Sequence, residues 1–115
     1  MTRTIYKIVS AKEWLEAEAE NRFRGSALDL KDGYIHFSTL EQVTETAARH
    51  FAGQDDLLLV AVDATRLGEA LKWEPSRGGA LFPHLYEALA LEMVKWKAPL
   101  PLDEKRRHIF PALEA

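Results

Sequence analysis

One stretch constrains this chain more than any other. Leu57-Leu58-Leu59-Val60-Ala61-Val62, flanked by Asp56 and Asp63, is its longest apolar run. A helix needs ~20 apolar residues to cross a bilayer, so this run cannot do so. Its length suits a strand, and its unbroken apolar character predicts a central strand buried in the middle of a sheet. The other 115-residue arithmetic agrees. The length suits one domain, residues 1–115. A hydrophobic fraction of 47% allows a core without staples.

Charged residues at 29% and aromatics at 10% exclude a disordered chain. The absence of cysteine excludes disulfides, thiolate metal sites and thiol nucleophiles, and points to the cytoplasm. A net charge of −3 argues against a nucleic-acid partner, which needs a basic face. Met1 to Val9 lacks the apolar core of a signal peptide. The expectation is a soluble cytoplasmic protein without a membrane partner.

Around the central strand, periodicity and punctuation predict the other elements. Thr4 to Val9 reads as a strand. Ser10 and Glu13 form a capping box for a helix burying Ala11, Trp14, Leu15 and Ala19. Gly25 to Gly33 reads as a loop with Asp29 and Asp32 as turn formers. Tyr34 to Ser38 is a short strand. Ser38 or Thr39 is expected to cap a helix from about Leu40 to Phe51, with Val43, Ala47 and Phe51 inward.

Leu71 to Glu74, His84 to Leu89 and Met93 to Ala98 read as strands, with a turn over Pro75 to Gly79. The tail from Leu102 is expected to be irregular or a short helix, packed by Ile109 and Phe110. Strand–helix alternation is lost in the second half. The expected fold is therefore α+β, with a split, mainly antiparallel sheet and two helices in the N-terminal half.

No Walker loop, dinucleotide glycine fingerprint, HExxH or nucleophile elbow is present. Two polar groups stand out instead. Tyr34, His36 and Ser38 alternate on one strand face, and Thr39 follows at a helix start, where an anion is favoured. Arg77 and Gly78 lie in a glycine loop, where an arginine can grip a phosphate, and His84 and Tyr86 follow on one strand face. An ordinary structural role remains open for each group, as a buried histidine with a capping serine or a plain hairpin turn. The spacing of His36, His50, His84 and His108 matches no ligand pattern, so no metal is expected.

Ile5 to Ile8, Arg24-Gly25-Ser26, Asp32 to Thr39, Arg49 to Gly53, and Trp73-Glu74 through Phe82 to Tyr86 resemble a bacterial family catalogued as domain of unknown function 952. More distantly, the chain resembles the ADP-ribosyltransferase fold, whose enzymes split NAD at the nicotinamide bond. In that resemblance Tyr6-Lys7 falls on the first strand. Gly33 to Ser38 matches a glycine-led strand that lies over the nicotinamide. Leu57 to Val62 is the apolar strand, and His84 to Leu89 is the strand that opens with a catalytic glutamate. Lys7 replaces the expected histidine or arginine, and His84 or Tyr86 stands near the expected glutamate.

The resemblance implies a cleft for NAD or a related nucleotide or phosphate ester. His36 and His84 are the candidate catalytic residues, and Tyr34, Ser38, Thr39, Arg77, Gly78 and Tyr86 the candidate ligand contacts. The alternatives are an interaction module without catalysis, or a small hydrolase using Ser38 with a histidine.

Overall fold

The computed structural model describes residues 3–115, with Arg77 described through its backbone alone. The Arg77 side chain named above lies outside the described residues. The element order is β1 (Thr4–Ser10), α1 (Ala11–Glu20), β2 (Arg22–Phe23), α2 (Ala27–Asp32), β3 (Ile35–His36), α3 (Val43–His50), β4 (Leu57–Asp63), β5 (Leu71–Pro75), β6 (Leu81–Leu85), β7 (Leu89–Ala90) and β8 (Val94–Pro99). The sheets run β1-β4-β8, β2-β7 and β3-β6-β5. Every described strand pair is antiparallel, as expected for an α+β chain.

β4 is the middle strand of its sheet, as its apolar run predicts. Both faces are covered. On one, Ile5, Val9, Val60 and Val62 meet Trp14 of α1 together with Phe23, Ile35, Phe37, Leu85 and Leu89. On the other, Tyr6, Ile8, Leu59 and Ala61 meet Val43 and Ala47 of α3, with Leu100, Phe110 and Leu113. Strand alternation places Lys7 on the face of Ile5 and Val9, inside the first core. The sheets join where Tyr6 and Ser38 exchange backbone hydrogen bonds, Tyr6 N–H to the Ser38 carbonyl at 2.8 Å and the reverse at 2.9 Å.

Several expectations are corrected. The buried face of α1 is Trp14 and Ala17, while Leu15 is 68% exposed and Ala11 and Ala19 are exposed. Trp14 packs on Phe23 with ring centroids 5.7 Å apart, and that contact from outside the helix sets which side faces inward. Glu13 reaches back to the Ser10 hydroxyl, which donates to it at 2.9 Å. The Gly25 to Gly33 stretch contains a third helix, α2. Its start is a reciprocal box: Ser26 Oγ accepts from Asp29 N–H and Asp29 Oδ2 accepts from Ser26 N–H at 2.8 Å. The outward leucines Leu28 and Leu30 hid it, because they leave no inward stripe.

α3 begins at Val43, later than expected, without a side-chain cap from Ser38 or Thr39. Phe51 follows it and is only half-buried. β6 begins before Pro83 and stops at Leu85, so Tyr86 lies in the turn that leads to β7. Pro83 fits because β3 is too short to need a ladder N–H there. In the tail, Phe110 packs inward while Ile109 is exposed. No described helix is long and apolar enough to cross a membrane.

Candidate functional site

The site is built on one face of the β3-β6-β5 sheet. His36 of β3 is directly opposite His84 of β6, and His84 is directly opposite Lys72 of β5. Opposed residues share a face in antiparallel pairs, so the three form a row across the sheet. Tyr34 fills the space beside it. Its ring stacks on His84 at 4.1 Å between centroids, and lies 4.6 Å from His36 and 5.2 Å from Tyr86. The two imidazoles meet edge to face at 5.6 Å.

Each imidazole is tied to a carboxylate through Nδ1. For His84 the partner is Glu74 Oε1 at 2.8 Å, which also accepts from the Tyr86 hydroxyl at 2.7 Å. That bond pushes the Tyr86 phenol up to about 12. His84 is only 4% exposed, and its Nε2 has no bond among the described residues. For His36 the Nδ1 partner is Asp29 Oδ1 at 2.6 Å, while Nε2 faces Asp32 Oδ2 at 3.0 Å.

Asp29 anchors this half of the site. Its carboxylate also accepts from the backbone N–H groups of Ser26 and His36 and pairs with Lys7 Nζ at 2.9 Å. Burial alone would raise its pKa. The hydrogen bond from His36, the Lys7 charge and the bond from Ser26 outweigh that and hold the carboxyl well below the usual range. Burial likewise pulls the Lys7 ammonium below its ordinary value, against the opposing pull of Asp29.

Asp29 binds protons less readily folded than unfolded, so its stabilisation is complete above its unfolded value of about 3.9. It is lost as pH falls from there towards the folded value. The urea midpoint is therefore expected to fall as pH drops from 5 to 2, and the fall is expected to be shallower in Asp29→Asn.

The backbone beneath Asp29 has its own requirement. Gly25 has φ +125°, and a Cβ there would sit 2.8 Å from the Asp29 Cβ. Gly25→Ala is therefore expected to cost about 1–3 kcal/mol, read as a denaturant-midpoint shift at unchanged m-value. A change below about 0.5 kcal/mol would show that this close approach is not needed.

Tyr34, His36, Ser38 and His84 all line one cavity of about 720 Å³, together with Lys7, Asp29 and Asp32. Tyr86 lines a neighbouring cavity of about 330 Å³ that shares Tyr34 and Asp29. Thr39 is buried away from both. Its N–H donates to Gln42 Oε1 at 3.0 Å, so that amide is not free for an anion. Gly78 occupies the β5–β6 turn in the left-handed region at φ 69°. The Ser38 hydroxyl pairs with Thr46 Oγ1 at 2.9 Å, and no described imidazole touches it.

Sequence reasoning missed the carboxylates Asp29, Asp32 and Glu74 as site residues. The available signals were a lysine inside an otherwise apolar strand, which needs a buried partner, and Ser26-x-x-Asp29 as a box. Among the described residues no cluster of three or more ligand-type side chains could hold a metal ion.

Residues 8–97 match the model of a family described as "Protein of unknown function (DUF952)". The crystal structure of protein CC0527 from Caulobacter crescentus is similar, at 55% identity and a TM-score of 0.89, covering 92% of this chain and 93% of that one. The solution NMR structure of CC0527 is similar at 56% identity and a TM-score of 0.82, covering 90% of each chain. No curated protein matches.

Proposed function

Because the chain belongs to the DUF952 family, whose description states no activity, the function is read from the site, and we propose that the cleft binds NAD or a related nucleotide or phosphate ester and acts on it through His36 and His84. The observation that carries this reading is Tyr34 set against two imidazoles that meet edge to face, each held by a carboxylate at Nδ1. Such pairing fixes tautomer and orientation, the arrangement a proton-transferring histidine needs.

The cavity volume of about 720 Å³ lies within the range of small-molecule sites. Tyr34 and Tyr86 offer aromatic surface to a base. Ser38 Oγ, bonded to Thr46, retains acceptor capacity for a ribose hydroxyl. The resemblance to ADP-ribosyltransferases calls for a carboxylate on the last strand. Here Glu74 of β5 supplies one beside His84. The reading places the protein in the cytoplasm, in keeping with its lack of cysteine.

The test is NMR titration of the histidine ring protons with NAD, ADP-ribose and adenosine monophosphate. The His36 and His84 signals are expected to shift saturably while His108, bonded to the Gln54 carbonyl, stays in place. No response of either ring at millimolar ligand would remove the nucleotide reading and leave an interaction module.

A further inference from the structure

Resting on that reading, we infer that the bond broken in this cleft is a phosphorus–oxygen bond, in a phosphodiester next to a ribose hydroxyl, with His84 as base and His36 as acid. Breaking the nicotinamide bond of NAD releases a neutral ring from a cationic one, and that leaving group needs no proton. A site with two oriented imidazoles holds more proton-transfer machinery than such a step uses. Displacing an alkoxide from phosphorus does require a proton to be removed from the attacking oxygen and another delivered to the departing one.

The hydrogen bonds assign the roles. Glu74 on Nδ1 of His84 leaves Nε2 unbonded among the described residues, as a base requires. His36 is held at Nδ1 by Asp29 and has Asp32 Oδ2 facing Nε2 at 3.0 Å, which orients Nε2 as the proton donor of the pair. Asp32 is the half-exposed partner of the two and can release Nε2, while buried Asp29 keeps Nδ1. The row across the sheet continues to Lys72, an exposed cation opposite His84 with no bond among the described residues. Lys72 lines neither cavity, so its charge acts on a phosphoryl group from outside the cleft, on the Glu74 side.

The step balances without a co-reactant. His84 Nε2 takes the proton of the ribose 2′-hydroxyl, and that oxygen forms a bond to phosphorus. The bond from phosphorus to the departing 5′-oxygen breaks, its electron pair stays on that oxygen, and His36 Nε2 protonates it. The products are a 2′,3′-cyclic phosphate and a free 5′-hydroxyl, and proton exchange with water resets the two rings.

The test incubates the protein with adenylyl-(3′→5′)-adenosine, with its 2′-deoxy analogue and with NAD, and separates products by chromatography. The expected result is cyclic phosphate from the ribo compound alone, falling 10²–10⁴-fold in His36→Ala or His84→Ala. Lys72→Ala, at an exposed position outside the cavity that leaves folding intact, is expected to lose about fivefold or less. Nicotinamide released from NAD with the dinucleotide uncut would overturn the inference and leave the nucleotide reading standing. Equal cleavage of the deoxy analogue would overturn it too. Uncut dinucleotide that still shifts the His36 and His84 ring signals would overturn it while sparing that reading. No product and no shift with any compound would remove both.

Discussion

Asp29→Ala is expected to destabilise the domain by about 3–5 kcal/mol, the cost of leaving one member of a buried ion pair without its partner. Side-chain exposures of 6% for Lys7 and 1% for Asp29 leave both charges, at the floor of the cavity, with little contact with water. Removing the carboxylate strands the Lys7 ammonium among Ile5, Val9 and Phe23, and leaves the Ser26 and His36 N–H groups without their acceptor. Lys7→Met added to Asp29→Ala is expected to recover part of the loss, since the stranded charge goes while the orphaned backbone donors remain. Urea melts of both variants decide it. A loss below about 1 kcal/mol in the single variant, or no recovery in the double, would mean that the pair is not the buried support described above.

Trp14→Ala is expected to cost a similar amount, about 3–5 kcal/mol, through the cavity left against Phe23. The informative comparison is Trp14→Phe. The Trp14 indole Nε1 is buried without a hydrogen-bond partner among the described residues, and an unsatisfied donor of this kind costs about 1–3 kcal/mol. Phenylalanine removes that donor and keeps most of the apolar volume, so its loss is expected to be under half that of alanine. Equal losses in the two variants would show that the indole N–H is satisfied in solution.

Much of the frame was legible because it rests on local rules. The apolar run of β4, the β-branched and aromatic content of β1 and the turn at Gly78 each follow from residue type within a few positions. α2 was hidden because Leu28 and Leu30 point outward and the helix is held by Asp29, whose partners Lys7 and His36 lie elsewhere in the chain. The site divides in the same way. Tyr34, His36 and Ser38 fall two apart in sequence around β3, so alternation groups them even though the strand itself is only Ile35–His36, and His84 joins them in one cavity. Glu74 and Lys72 belong to the site only through the β5–β6 register, and Lys7 and Asp29 only through tertiary contact. Such pairings are not written in local spacing.

Calorimetric titration of the folded protein with NAD tests the central claim most directly, run beside His84→Gln and Lys31→Gln. Lys31 is an exposed residue of α2 that does not line the cavity. The account predicts saturable binding at millimolar concentration or below, weakened roughly tenfold or more in His84→Gln, as the loss of about 1.4 kcal/mol implies. Lys31→Gln is predicted to bind as the parent does. Absence of binding to the parent, or equal binding to the parent and His84→Gln, would contradict the assignment of this cleft as the nucleotide site.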